Sequence, residues 1–169
     1  VTYRIANLLP TGGRVVCAAQ FKAGKTTLRD NVVRCLADGV PFLDRFEVAP
    51  LPEGATVAVI DDEMSRGQIR RWMRDQGIQH PERVQVAVLR GRVATFDLLT
   101  PETRAMWADA LRAAGAAVVI FDCLRPVLDA LGLDESRDAG RFLVAFDALL
   151  AEAGGDEAIV VHHMGHNGE

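Results

Sequence analysis

The stretch Ala18-Ala19-Gln20-Phe21-Lys22-Ala23-Gly24-Lys25-Thr26-Thr27 contains the only two lysines of the chain, Lys22 and Lys25. Every other basic side chain is arginine or histidine. Lysine is a compact charge on a flexible stem, whereas arginine is a planar fork. A chain that otherwise uses arginine and keeps lysine for one loop suggests a loop built around a phosphate. The pattern is that of a phosphate-binding loop, G-x-x-x-x-G-K-[ST], with Ala19 at the first glycine. Alanine reaches positive φ less easily than glycine, so the loop entry is expected to differ slightly.

In such a loop, backbone N–H groups form a concave nest for the β- and γ-phosphates, and the helix N-terminus adds its dipole. Gln20, Phe21, Lys22, Ala23, Gly24, Lys25, Thr26 and Thr27 are the expected nucleotide-binding positions. Gly24 permits close backbone approach, Lys25 would bridge phosphate oxygens, and the Thr26 hydroxyl would ligate Mg²⁺. The flanks fit. Arg14 to Ala18 is a short apolar run that predicts a buried strand. Lys25 to Asp38 places Leu28, Val32, Cys35 and Leu36 at helical spacing, and Gly39 is a stop.

Strand and helix signals alternate beyond this point. Thr56 to Ile60 predicts a second strand. A helix follows, with Ser65 and Gln68 as a capping box and Ile69, Trp72 and Met73 facing inward. Arg83 to Leu89 predicts a third strand. Thr100-Pro101 opens a helix with Met106, Trp107, Ala110 and Leu111 on one face. Ala116 to Phe121 is apolar throughout, as expected inside a parallel sheet. A long loop is expected as far as about Ser136, then a helix with Phe142, Phe146, Leu149 and Leu150. Ala158 to Val161 predicts a fifth strand. Repeated βα units predict an α/β fold, a parallel sheet with helices on both faces and ligands at the strand carboxyl ends.

The 169 residues suit one domain. A formal charge of −4 argues against a basic nucleic-acid coat, although a local basic site remains open. No apolar run is long enough to span a membrane, and no signal-peptide pattern opens the chain. Cys17, Cys35 and Cys123 lack metal spacing and are expected to be reduced core thiols of an intracellular, cytoplasmic protein. The start at Val1 and the stop soon after an apolar run are expected of a piece of a longer chain.

The acids and histidines lie at strand ends. Asp122 follows the fourth, wholly apolar strand and is expected to support Mg²⁺. Asp61-Asp62-Glu63 ends the second strand. Glu63 is the expected base that orients and deprotonates water, with Asp62 as the fallback. The fifth strand runs into His162-His163-Met164-Gly165-His166. Zinc is disfavoured, because the spacing is wrong and no cysteine or acid lies nearby in sequence. A buried, hydrogen-bonded histidine and a γ-phosphate sensor at His163 remain the readings.

These segments together resemble the ATPase core of the RecA-like P-loop superfamily, closest to hexameric plasmid and phage replicative helicases and their AAA-type relatives. The resemblance rests on Ala19 to Thr27, Gly39-Val40-Pro41-Phe42-Leu43, Val59-Ile60-Asp61-Asp62-Glu63, Val119 to Pro126 and Val160-Val161-His162-His163. It implies strand order 3-2-4-5-1, with further C-terminal strands absent here. It implies an ATP and Mg²⁺ site with Lys25, Glu63, Asp122 and His163 as catalytic residues and Thr26 and Asp122 at the metal. It further implies single-stranded DNA as partner and self-association into a hexameric ring. DNA contacts would come from the loop between Cys123 and Ser136 and from whatever follows Gly165. Arg66, Arg70, Arg71 and Arg74 could meet phosphate or a neighbouring subunit. A small-molecule phosphotransferase and a regulatory nucleotide-binding module are the alternatives.

Overall fold

The wholly apolar run is the centre of the molecule. In the computed structural model, which describes residues 1–20 and 23–164, it forms β6 (Ala116–Asp122), buried at every position. Two short strands, β1 (Tyr3–Ile5) and β2 (Leu9–Pro10), pair antiparallel at the start of the chain. Then come β3 (Arg14–Gln20), β4 (Thr56–Asp61), β5 (Val84–Val88), β6 and β7 (Glu157–Met164). They form one parallel sheet in the order β3-β7-β6-β4-β5. Read from the other edge, this is the expected order 3-2-4-5-1.

The strand period of two explains the helices on both faces. Val57 and Val59 of β4, with Val118 and Ile120 of β6, pack under α1 (Lys25–Asp38) and the β1–β2 pair. Ala58, Ile60, Val119 and Phe121 point the other way. They pack against α3 (Pro101–Ala113), α4 (Leu124–Ala130) and α5 (Glu135–Ala153). There Phe121 lies 5.1 Å from Phe96, 6.2 Å from Phe142 and 5.8 Å from Phe146, ring centre to ring centre. Such aromatic pairs add to area burial.

The first helix ends as expected, at Gly39 with φ +67°. α2 (Arg66–Asp75) has the full capping box between Ser65 and Gln68. Its inward face differs, however. Ile69 is buried, but Trp72 is 39% exposed, because α2 lies over the sheet margin beside β5 and only one side of it is covered. In α3 the expected face is rotated. Met106 is 67% exposed, and the buried positions are Ala108 and Leu111, with half-buried Trp107 packed against them. Arg104 lies on this side and pairs with Glu152 of α5 at 2.8 Å.

The long loop expected between Cys123 and Ser136 is instead largely helical. Leu124, Val127 and Leu128 of α4 recur at helical spacing and are buried. Pro126 is the third residue of that helix, where a missing N–H breaks no internal bond. The β1–β2 pair does not extend the sheet either. β3 keeps one unpaired edge among the described residues, beside an apolar cleft of about 280 Å³ bordered by Val16, Leu28 and Leu9.

A buried ion pair ties the chain start to the sheet. Arg4 Nε donates to Glu157 Oε2 at 3.1 Å, and its Nη1 donates to the carbonyls of Ala49 and Pro50. The Gly12 amide donates to Glu157 Oε1 at 3.2 Å. Removing one partner of a buried pair strands the other charge. Arg4→Met should therefore destabilise the protein by about 3–5 kcal/mol in urea unfolding, and Glu157→Gln, which leaves the buried Arg4 charge without its partner, should destabilise it as well. Equal midpoints for Arg4→Met and wild type would show that the pair contributes nothing.

Candidate functional site

Parallel strands all end at the same edge of the sheet, and the chemistry-bearing residues are gathered there. Gln20 ends β3, Asp61 ends β4, Asp122 ends β6, and His163 lies one residue before the end of β7. The register makes Asp61 and Asp122 direct neighbours across strands, and pairs Ala19 with His163.

On β3 and α1 the loop residues Gln20, Ala23, Gly24 and Thr27 are exposed, Thr26 is half-buried and Lys25 is buried. Phe21 and Lys22, the other expected loop positions, lie outside the described residues, as do Gly165 and His166. Lys25 Nζ donates to the Gln20 carbonyl oxygen, which folds the ammonium back over the loop. Gly24 has φ +81°, and the space where a Cβ would stand is open. The first turn of α1 has no acidic residue and no side-chain cap. An uncapped helix start with a buried lysine and a left-handed glycine fits an anion such as a nucleotide phosphate.

The three consecutive acids have three different settings. Asp61 is buried; its Oδ1 accepts the amides of Glu63 (2.9 Å) and Met64 (2.7 Å) and so shapes the turn after β4. Asp62 is also buried. Its Oδ1 accepts the Cys123 amide at 3.0 Å, and its Oδ2 has no hydrogen-bond partner among the described residues. Burial pushes its pKa up to about 7, Glu63, Asp122 and Asp61 add to the rise, and the Cys123 amide opposes it. Glu63 points outward, with its side chain 38% exposed, and its Oε2 lies 3.3 Å from His163 Nε2. Of the two candidate bases, Glu63 is the one that water can reach.

Asp122 is buried and its pKa is pushed up to about 6, chiefly by burial, while the nearby Arg29 pulls it down. The acidic side chains gathered at this edge fit a cation; Asp122 is among them, and Thr26 stands half-buried at the start of α1.

His162 and His163 face opposite sides of β7, as strand alternation requires. His162 Nε2 lies 2.8 Å from Glu135 Oε1 of α5. His163 turns toward Glu63. The expectation that no cysteine or acid lies near the histidines does not hold in space. Donor atoms of Glu63, Asp122, Cys123 and His163 all lie within 4.8 Å of one another. The strands bring together what the sequence separates by a hundred residues. Burial and the surrounding carboxylates hold the Cys123 thiol protonated.

Sequence reasoning passed over Arg29. It is buried on α1 and contacts Asp30, Asp61 and Asp122. The only local signal was weak: Arg29-Asp30 is an adjacent pair of opposite charges in the first half of α1.

The model of the AAA domain family matches residues 1–169, the whole chain, and the protein belongs to that family. It is a nucleotide-binding module of the AAA ATPase type. No curated protein matches the chain. Among the described residues, no helix is long and apolar enough to cross a membrane.

Asp62 makes a testable contribution to stability. Its folded pKa lies above the unfolded value of about 4, so between about pH 4 and 7 the native state retains a proton that the unfolded state has lost. The contribution is complete below that window and disappears as pH rises through it. The nucleotide-free protein should lose up to about 4 kcal/mol across the window through this group, and Asp62→Asn should remove that part of the slope. Urea unfolding at several pH values checks this; parallel slopes for the two proteins would show that Asp62 titrates normally.

Proposed function

We propose that this protein is an ATP hydrolase of the hexameric replicative-helicase branch of RecA-like proteins, coupling ATP turnover to movement on single-stranded DNA. The observation that carries the ATPase reading is the 3.3 Å contact between Glu63 and His163 at the same sheet edge as the Lys25 helix and Asp122. A carboxylate that water can reach stands beside an imidazole on the neighbouring end of the site.

The roles follow from placement. The α1 start and Lys25 would bind the triphosphate, and Thr26 and Asp122 would hold Mg²⁺, which neutralises developing phosphate charge. Glu63 would orient water and accept its proton. His163, touching Glu63 from β7, would sense whether the terminal phosphate is present. The buried Asp62, engaged with the Cys123 amide, is a poorer base.

The DNA part of the proposal draws on α2. Arg66, Arg70, Arg71 and Arg74 are exposed, and none forms an ion pair among the described residues. A helix with four uncompensated arginines suits phosphate contacts. The ring is part of the same proposal and rests on the branch resemblance.

Millimolar Mg-ATP should raise the melting temperature, since ligand at a hundred times its Kd adds about 2.7 kcal/mol. Lys25→Ala should abolish the shift. Glu63→Gln should keep the shift and lower phosphate release by about 10²- to 10⁴-fold. Single-stranded DNA should accelerate release, and replacing the α2 arginines by serine should remove that acceleration. No thermal shift with a folded sample would end the ATPase reading. A shift with turnover indifferent to DNA would end only the helicase part.

A further inference from the structure

We infer that Arg29 is the positioning residue of the metal site, an internal cation that fixes Asp122 and, through Asp61, the turn carrying Glu63. The inference rests on the nucleotide reading above and assigns a role to a residue outside the phosphate-loop motif.

The placement is specific. Arg29 follows Thr26 by three residues and Lys25 by four on α1, so all three share one helix face. Its side chain is 1% exposed. Nε and Nη2 both donate to Asp30 Oδ1 at 2.8 Å. Nη1 donates to Asp122 Oδ2 at 2.8 Å and also to Asp61 Oδ2. One nitrogen therefore pins the two carboxylates that the sheet register sets side by side. Like charges on neighbouring strands repel, and the guanidinium between them offsets that repulsion.

The contacts continue beyond Asp61. Its other oxygen accepts the amides of Glu63 and Met64, and Arg29 Nη2 lies 3.8 Å from Met64 Sδ. A continuous path of contacts runs from α1 through Arg29 and Asp61 to the backbone of Glu63. A second branch runs from Arg29 to Asp122. The guanidinium fork is needed for this. A lysine ammonium has three donors on one nitrogen and cannot reach Asp30 on one side and the Asp61–Asp122 pair on the other. Groups that orient metal ligands from behind set metal affinity, and their loss typically weakens it about 10- to 100-fold.

The test separates this role from plain structural support. ATP binding to the full chain is measured with a fluorescent ATP analogue, first in EDTA and then across a Mg²⁺ titration. Arg29→Met and Arg29→Lys are compared with wild type, with folding checked by circular dichroism. The lysine variant keeps the charge and provides the measurement if the methionine variant does not fold. In EDTA, binding through the phosphate loop should stay within about twofold of wild type. The Mg²⁺ concentration for half-maximal enhancement should rise about tenfold in Arg29→Lys and further in Arg29→Met. A folded variant with an unchanged Mg²⁺ requirement overturns the inference and leaves Arg29 a structural counter-ion. If wild type itself binds no nucleotide in either condition, the underlying reading has failed and the inference goes with it.

Discussion

Two carboxylates at the ends of adjacent parallel strands, buried and in register, are the constraint to which the rest of the molecule answers. As ionised neighbours Asp61 and Asp122 repel each other, and a cation between them offsets that repulsion. Arg29 supplies a cation from α1, and in doing so ties the first helix to the carboxyl ends of β4 and β6. Taking an arginine and three carboxylates out of water costs several kcal/mol per ion, and replacing such a buried cluster by well-packed apolar side chains is often neutral or stabilising.

The same edge shows how environment divides labour among identical side chains. Asp61, Asp62 and Glu63 are consecutive acids, yet one anchors a turn, one is pushed toward neutrality by burial, and one stands open to water. Burial and backbone donors make the difference, not residue type. The histidines follow a similar logic with geometry in place of solvation. Alternation along β7 sends His162 to Glu135 and His163 to Glu63, so adjacent residues serve opposite faces of the sheet.

The whole chain lies in the AAA domain family. Arg29 and Asp30 occupy a helix face that apolar residues could fill. Arg29 links the first turns of α1 to the turn after β4 through direct contacts with Asp61, whose other oxygen accepts the Glu63 and Met64 amides.

Much was legible in the sequence by itself. The lysine-bearing loop, the glycine stop after α1, the capping box of α2 and the unbroken apolar run of β6 are local signals, each set by backbone geometry or strand burial over a few residues. They determined the α/β class and the edge where the site lies. The strand order came from family resemblance and not from any local pattern. Tertiary structure decided the rest. Whether Met106 or Ala108 faces inward depends on where α5 lies, since both fit a helical stripe. The segment after Cys123 is a helix because Leu124, Val127 and Leu128 find a core to enter, which Pro126 masked in sequence. Asp61 and Asp122 lie 32 and 93 residues from Arg29, and His163 is 100 residues from Glu63. Ion pairing acts over a few ångströms in space, so only the folded chain could reveal which charges meet.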